Sequence, residues 1–217
     1  MDTTPLVLQP NDLILFTGDS ITDAGRRDPA YRPLGRGYVH FAANWLLARS
    51  PELNLRFVNT GVSGDTTRTL LWRWQRDCLA HKPDVVSILI GVNDVWCRHA
   101  GDELLERSVD IEEFESNYAA MLTALSNSHN CRIALMEPFM FCDDPSNDMF
   151  RDLRLAIEVV HKLADRFDAL LVPLQTEVDR LIRNIPPARW SDDMVHPYTW
   201  AHAWIAQNWL KSAIGGY

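Results

Sequence analysis

The stretch Val85-Val86-Ser87-Ile88-Leu89-Ile90 limits what this chain can fold into more than any other. Its length is that of a strand, and its apolar character is nearly continuous instead of alternating. A strand with two apolar faces must be covered on both, as happens in parallel sheets flanked by helices. The rest of the chain agrees with that demand. Residues 13–17, 55–59, 132–136 and 169–173 read as further short strands. Residues 37–49, 66–78, 112–128, 148–167, 176–185 and 199–213 carry apolar positions near helical spacing. Strand and helix alternate throughout, which predicts an α/β three-layer α/β/α sandwich with a central five-stranded parallel sheet. No composition break divides the chain, so residues 1–217 are expected to form a single domain.

Composition closes off several function classes. The formal net charge is −8, whereas nucleic acid and anionic membranes favour basic partners. Met1-Asp2-Thr3-Thr4-Pro5 has no basic start and no apolar run behind it, so neither a leader nor a membrane span is expected. Cys78, Cys97, Cys131 and Cys142 are scattered without a C-x-x-C pair, and His40, His81, His99, His129, His161 and His202 follow no ligand spacing. No metal and no cofactor is expected. Free thiols and the missing leader fit a cytoplasmic protein.

Chemistry-bearing residues gather where strands should end. Gly18-Asp19-Ser20-Ile21-Thr22 follows the first strand, Gly61-Val62-Ser63-Gly64-Asp65 the second, and Gly91-Val92-Asn93-Asp94 the third. Asp192-Asp193-Met194-Val195-His196-Pro197 precedes the last helix. Ligands bind at the carboxyl ends of strands in open parallel sheets, so the first three loops should share one edge that the fourth can reach. Residues 21–36 read as a long polar loop with one helical turn after Ser20. Ser20 by itself suits a helix cap as well as a nucleophile. Acyl transfer through a serine needs a base, an orienter for the base and donors for an oxyanion. His196 supplies an imidazole, and Asp193 stands three residues before it. Gly64, the Asn93 amide and the N–H of Ser20 are candidate donors. The G-x-S-x-G elbow of α/β-hydrolases is absent.

These four blocks, in this order, resemble the SGNH, or GDSL, hydrolase family. The resemblance implies a flavodoxin-like SGNH hydrolase fold, with Ser20, Asp193 and His196 as the catalytic residues. It places the oxyanion hole at Ser20, Gly64 and Asn93. Ser20-Ile21-Thr22-Asp23-x-Gly25-Arg26, Gly35-x-Gly37-Tyr38-Val39 and Asn93-Asp94-Val95-Trp96 look like a subgroup of intracellular bacterial carbohydrate esterases that deacetylate xylo-oligosaccharides. That likeness implies an acetylated oligosaccharide as the small-molecule ester substrate, and self-association into a homo-oligomer.

Bland roles compete with some of these assignments. Asp19 reads as a support for its loop by hydrogen bonds; with Trp96 and Trp190 it is also carried as a substrate contact. Asp192 reads as solvated, because the D-x-x-H spacing selects Asp193. Two alternatives stand beside the deacetylase: a lysophospholipase or acyl-CoA thioesterase on the same scaffold, and a non-catalytic carbohydrate-binding protein.

Overall fold

A computed structural model describes residues 5–215. Met1 to Thr4, on which the expectation of no leader partly rests, lie outside the described residues. Five strands form one parallel sheet: β1 (Leu13–Gly18), β2 (Arg56–Asn59), β3 (Val85–Leu89), β4 (Arg132–Met136) and β5 (Leu170–Val172). Their order is β2-β1-β3-β4-β5. The chain steps outward from β1 to β2 and then returns to place β3 on the other side of β1. That reversal is a topological switch point, where ligands bind in doubly wound sheets.

Among the described residues, eight α-helices surround the sheet. They are α1 (Ser20–Asp23), α2 (Tyr38–Arg49), α3 (Thr67–Asp77), α4 (Val92–His99), α5 (Ile111–Ser128), α6 (Asp148–Arg166), α7 (Leu174–Leu181) and α8 (Thr199–Ile214). Alternate residues of each strand serve opposite faces. Ile14, Phe16, Val85 and Leu89 join a core with Val39 and Ala42 of α2 and Ile205 and Trp209 of α8. Leu15, Val86 and Ile88 join the opposite core with Leu70 and Trp74 of α3, Tyr118 and Leu122 of α5 and Val160 of α6. All five β3 residues are buried, as the unbroken apolar run requires. Its polar interruption is satisfied internally: Ser87 Oγ accepts from Trp209 Nε1 at 2.9 Å.

Two elements differ from the sequence reading. Gly91-Val92-Asn93-Asp94 is not a free loop, because α4 starts at Val92 and puts Asn93 in its first turn. Helix α7 starts at Leu174, before the expected residue 176, and ends at Leu181, ahead of residue 185. Among the described residues no helix is long and apolar enough to cross a membrane.

Candidate active site

Ser20 follows β1 at the switch point. Asp19 is the cap of α1: its carboxylate Oδ1 accepts the Ile21 N–H at 3.0 Å. Ser20 is therefore the first helical residue and does not act as the cap itself. Its hydroxyl is released from capping and lies 2.9 Å from His196 Nε2. Only glycine fits at Gly18, since a Cβ there would stand 1.9 Å from the Leu89 carbonyl oxygen. That contact lets the turn cross directly over the end of β3.

His196 is aimed by its own loop. Its Nδ1 lies 2.6 Å from Asp193 Oδ2, and its backbone N–H donates to Asp193 Oδ1 at 2.8 Å. Oδ1 also accepts from the Val195 N–H and the Ser191 hydroxyl, each at 2.9 Å. Partial burial works against the charge on Asp193. The bonds from the His196 ring, His196 N–H, Val195 N–H and Ser191 outweigh it and hold the carboxyl well below the usual carboxylate range. An ionised carboxylate only accepts, so the proton sits on Nδ1 and Nε2 is left to accept from Ser20. The serine, imidazole and carboxylate thus form one continuous hydrogen-bonded relay.

The loop after β2 is pinned along its length. Thr60 N–H donates to Phe16 O, and Val62 N–H to Gly18 O at 3.0 Å. Gly61 N–H donates to Asn59 Oδ1, and Ser63 N–H to Asp23 Oδ2. Gly64 has φ +82°, a left-handed conformation that suits glycine. Asn93 donates one amide hydrogen to the Asp65 carbonyl at 2.9 Å, leaving the second for a ligand. Thr66 and Thr69 then close a reciprocal cap at the start of α3.

Beneath these loops lies a charged layer that the sequence reading missed. Arg73, buried on α3, donates to Asp65 Oδ2 at 2.6 Å, Thr60 O at 2.7 Å and Gly18 O at 3.2 Å. It also pairs with Asp77 at 3.2 Å. One guanidinium therefore joins the turn before Ser20 to the loop that carries Gly64. A signal for it exists in the sequence. Arg73 falls on the same helical face as Leu70 and Trp74, and a cation on a buried face requires an anionic partner.

Two nearby carboxyls resist ionisation. Asp19 is pushed up to about 7 by burial, opposed by the Ile21 N–H and aided by Asp94 and Asp65. Asp94 is pushed up to about 6 by burial, against the hydrogen bonds it accepts from Thr67.

Of the three residues carried as substrate contacts, two are corrected. Asp19 is 1% exposed and faces the interior. Trp190 is 2% exposed, stacks on Phe141 with centroids 5.5 Å apart, and donates through Nε1 to Ile185 O. The aromatic side chains of α8 and the loop after β4 enclose it, which no local pattern announced. Trp96 is half-buried, with its ring centroid 5.9 Å from that of His196, so it does stand beside the relay. Among the described residues no three His, Cys, Asp or Glu side chains are grouped to hold a metal ion.

Residues 16–204 match the GDSL-like lipase/acylhydrolase family. The chain belongs to this family. An acetylxylan esterase from Geobacillus stearothermophilus is 36% identical over 202 residues, covering 91% of this chain and 92% of that protein. An arylesterase from Vibrio mimicus is 26% identical over 200 residues, covering 92% and 86%. The crystal structure of Axe2, the Geobacillus acetylxylan esterase, superposes with a TM-score of 0.90 at 34% identity over 95% of this chain and 96% of that one. LAE5, an alpha/beta hydrolase enzyme from the metagenome of Lake Arreo, gives 0.89 at 32% identity over 94% and 96%. The chain is a carboxylic-ester hydrolase with the fold of these relatives.

Proposed function

We propose that the chain is a serine esterase of short acyl esters that removes acetyl groups from xylo-oligosaccharides or related carbohydrates, with residues 1–217 acting as one catalytic domain. The Ser20–His196–Asp193 relay at the switch point carries this reading. Further support comes from structures of catalytic mutants of Axe2, in which a serine, an aspartate and a histidine are each replaced by alanine. The aspartate and histidine of those variants stand three positions apart, as Asp193 and His196 do.

Ser20 Oγ attacks the acyl carbonyl as its proton passes to His196 Nε2. The carbonyl oxygen gains negative charge, and the N–H groups of Ser20 and Gly64 and the second Asn93 amide hydrogen receive it. Asp193 stays ionised and stabilises the imidazolium through Nδ1. The tetrahedral adduct collapses, and His196 returns the proton to the departing sugar hydroxyl, leaving an acetyl ester on Ser20. Water then enters, gives its proton to His196 and attacks that ester; the second collapse returns the proton to Ser20 Oγ and releases acetate.

Ser20→Ala should abolish acetate release from acetylated xylo-oligosaccharides while its circular dichroism and melting temperature match wild type. Near-wild-type turnover in the purified variant overturns the assignment. A profile over p-nitrophenyl esters separates the rivals: acetate preference supports deacetylation, and rates rising toward eight carbons or longer favour the lipase or thioesterase reading. The same proposal carries a cytoplasmic location, consistent with four cysteines present as free thiols. It also carries self-association, read directly from the mass in solution.

A further inference from the structure

The loop around Gly64 has a second arginine, on its solvent side. Arg107 Nη2 donates to the Gly64 carbonyl at 2.8 Å, and a methyl group on Gly64 would lie 3.2 Å from the same nitrogen. Arg107 ends an exposed 3-10 segment, Asp102–Arg107, whose own contacts would not aim a long side chain. Arg68 of α3 supplies the aim. It is locked on Glu113 through two bonds of 2.6 Å, and it donates to Glu106 O at 3.2 Å and Ser108 O at 3.1 Å. The carbonyls on both sides of Arg107 are thereby fixed. A closed circuit results: the Gly64 loop leads into α3, α3 carries Arg68, Arg68 grips the strap, and the strap returns Arg107 to Gly64.

We propose that Arg107 is a positioning residue for acyl transfer, acting through Gly64 and held on station by Arg68. This rests on the reading of Ser20 and Gly64 given above. Two physical effects follow from the geometry. The bond to the Gly64 carbonyl fixes the orientation of a left-handed glycine whose amide is needed for the oxyanion, and preorganised donors avoid reorientation during reaction. The bonded carbonyl is neutral, so it leaves the charge of the guanidinium uncancelled beside the amide that receives the developing anion. Both effects grow in the transition state and are small for the neutral ester, so they belong in kcat and not in KM.

The test is steady-state hydrolysis of an acetyl ester by the full chain and its Arg107→Ala, Arg107→Lys, Arg68→Ala and doubly substituted variants. Arg107→Ala should lower kcat about tenfold, less than the roughly 10²–10³ for deleting a direct oxyanion donor, with KM within about twofold. Arg107→Lys, which keeps the charge and a donor, should recover most of the loss. Arg68→Ala should lower kcat by a smaller factor, and the double variant should be no slower than Arg107→Ala. The proposal is overturned by an Arg107→Ala kcat within about twofold of wild type, by a loss confined to KM, or by a lysine variant no better than alanine. Should Arg107→Ala fail to fold, the lysine and Arg68 variants decide: unchanged kcat in Arg68→Ala overturns the proposal. Ser20→Ala is run in parallel. Turnover that survives it refutes the site itself, whereas Ser20-dependent turnover indifferent to Arg107 refutes only this role.

Discussion

Around Ser20 the chain is buried and its contacts are long-range; around His196 it is exposed and its contacts are mostly local. Arg73 is 5% exposed and reaches from α3 to Gly18, Thr60 and Asp65. The side chains of His196 and Asp193 are 43% and 46% exposed, and most of the bonds that shape their loop come from residues 191–196, with one long-range tie from the Phe141 N–H to the Met194 carbonyl at 2.7 Å. The Ser20 half is thus built into the interior and shares its energetics with folding. The His196 half is an exposed turn shaped mainly by its own short-range bonds and anchored through buried Val195 and the Phe141 N–H. Damage to the first should cost stability as well as rate, and damage to the second should cost rate alone.

His196→Ala is the strongest break of the exposed half. It should lower kcat by about 10³-fold or more. The side chain is a surface group, so unfolding free energy should move by no more than about 0.5 kcal/mol in a urea titration. A large stability loss would show that the His196 side chain is part of the folded scaffold. Arg73→Met is the corresponding break of the buried half. It leaves Asp65 without its counter-charge and should destabilise by about 3–5 kcal/mol, with loss of activity in whatever remains folded. A variant with wild-type stability would remove Arg73 from the account.

Asp19→Asn sharpens the comparison with a smaller effect and a defined pH dependence. The carboxyl of Asp19 is raised from 3.8 to about 7 in the folded chain. Between those values the native state holds the proton that the unfolded chain has released, so stability falls as pH rises from about 4 to about 7. Asparagine keeps the acceptor for the Ile21 N–H without the charge. Its melting temperature should exceed wild type at pH 8 and match it at pH 4. An advantage that does not vary with pH would mean that Asp19 is not the titrating group.

Much of the fold was legible because β1, β3, β4 and β5 had to bury nearly all their own residues. The two-faced run at Val85–Leu89 demanded cover on both sides and received it. The D-x-x-H loop was legible because its bonds join residues three apart or closer. Asp19 and Trp190 misled as substrate contacts, because a residue close to the site in sequence can still point inward. Trp190 lies in the same short segment as Asp193, yet Phe141, Trp200 and Trp204 surround it. Arg73 left only the signal of its place on the buried face with Leu70 and Trp74, and Arg107 went unread because its partner, the Gly64 carbonyl, lies on another loop and such a bond leaves no periodicity.

Sequence alone determined which segments are strands, that the run at Val85–Leu89 buries both its faces, and that Asp193 stands three residues before His196. Each is a matter of a few neighbouring residues. Tertiary structure alone decided that Ser20 and His196, 176 residues apart, meet at 2.9 Å. It also decided that Arg73 and Arg107 grip the Gly64 loop from inside and outside. Hydrophobic pattern states how much a segment must bury but not which neighbour it will meet; the strand order β2-β1-β3-β4-β5 settles that by bringing the loops after β1 and β3 to one edge.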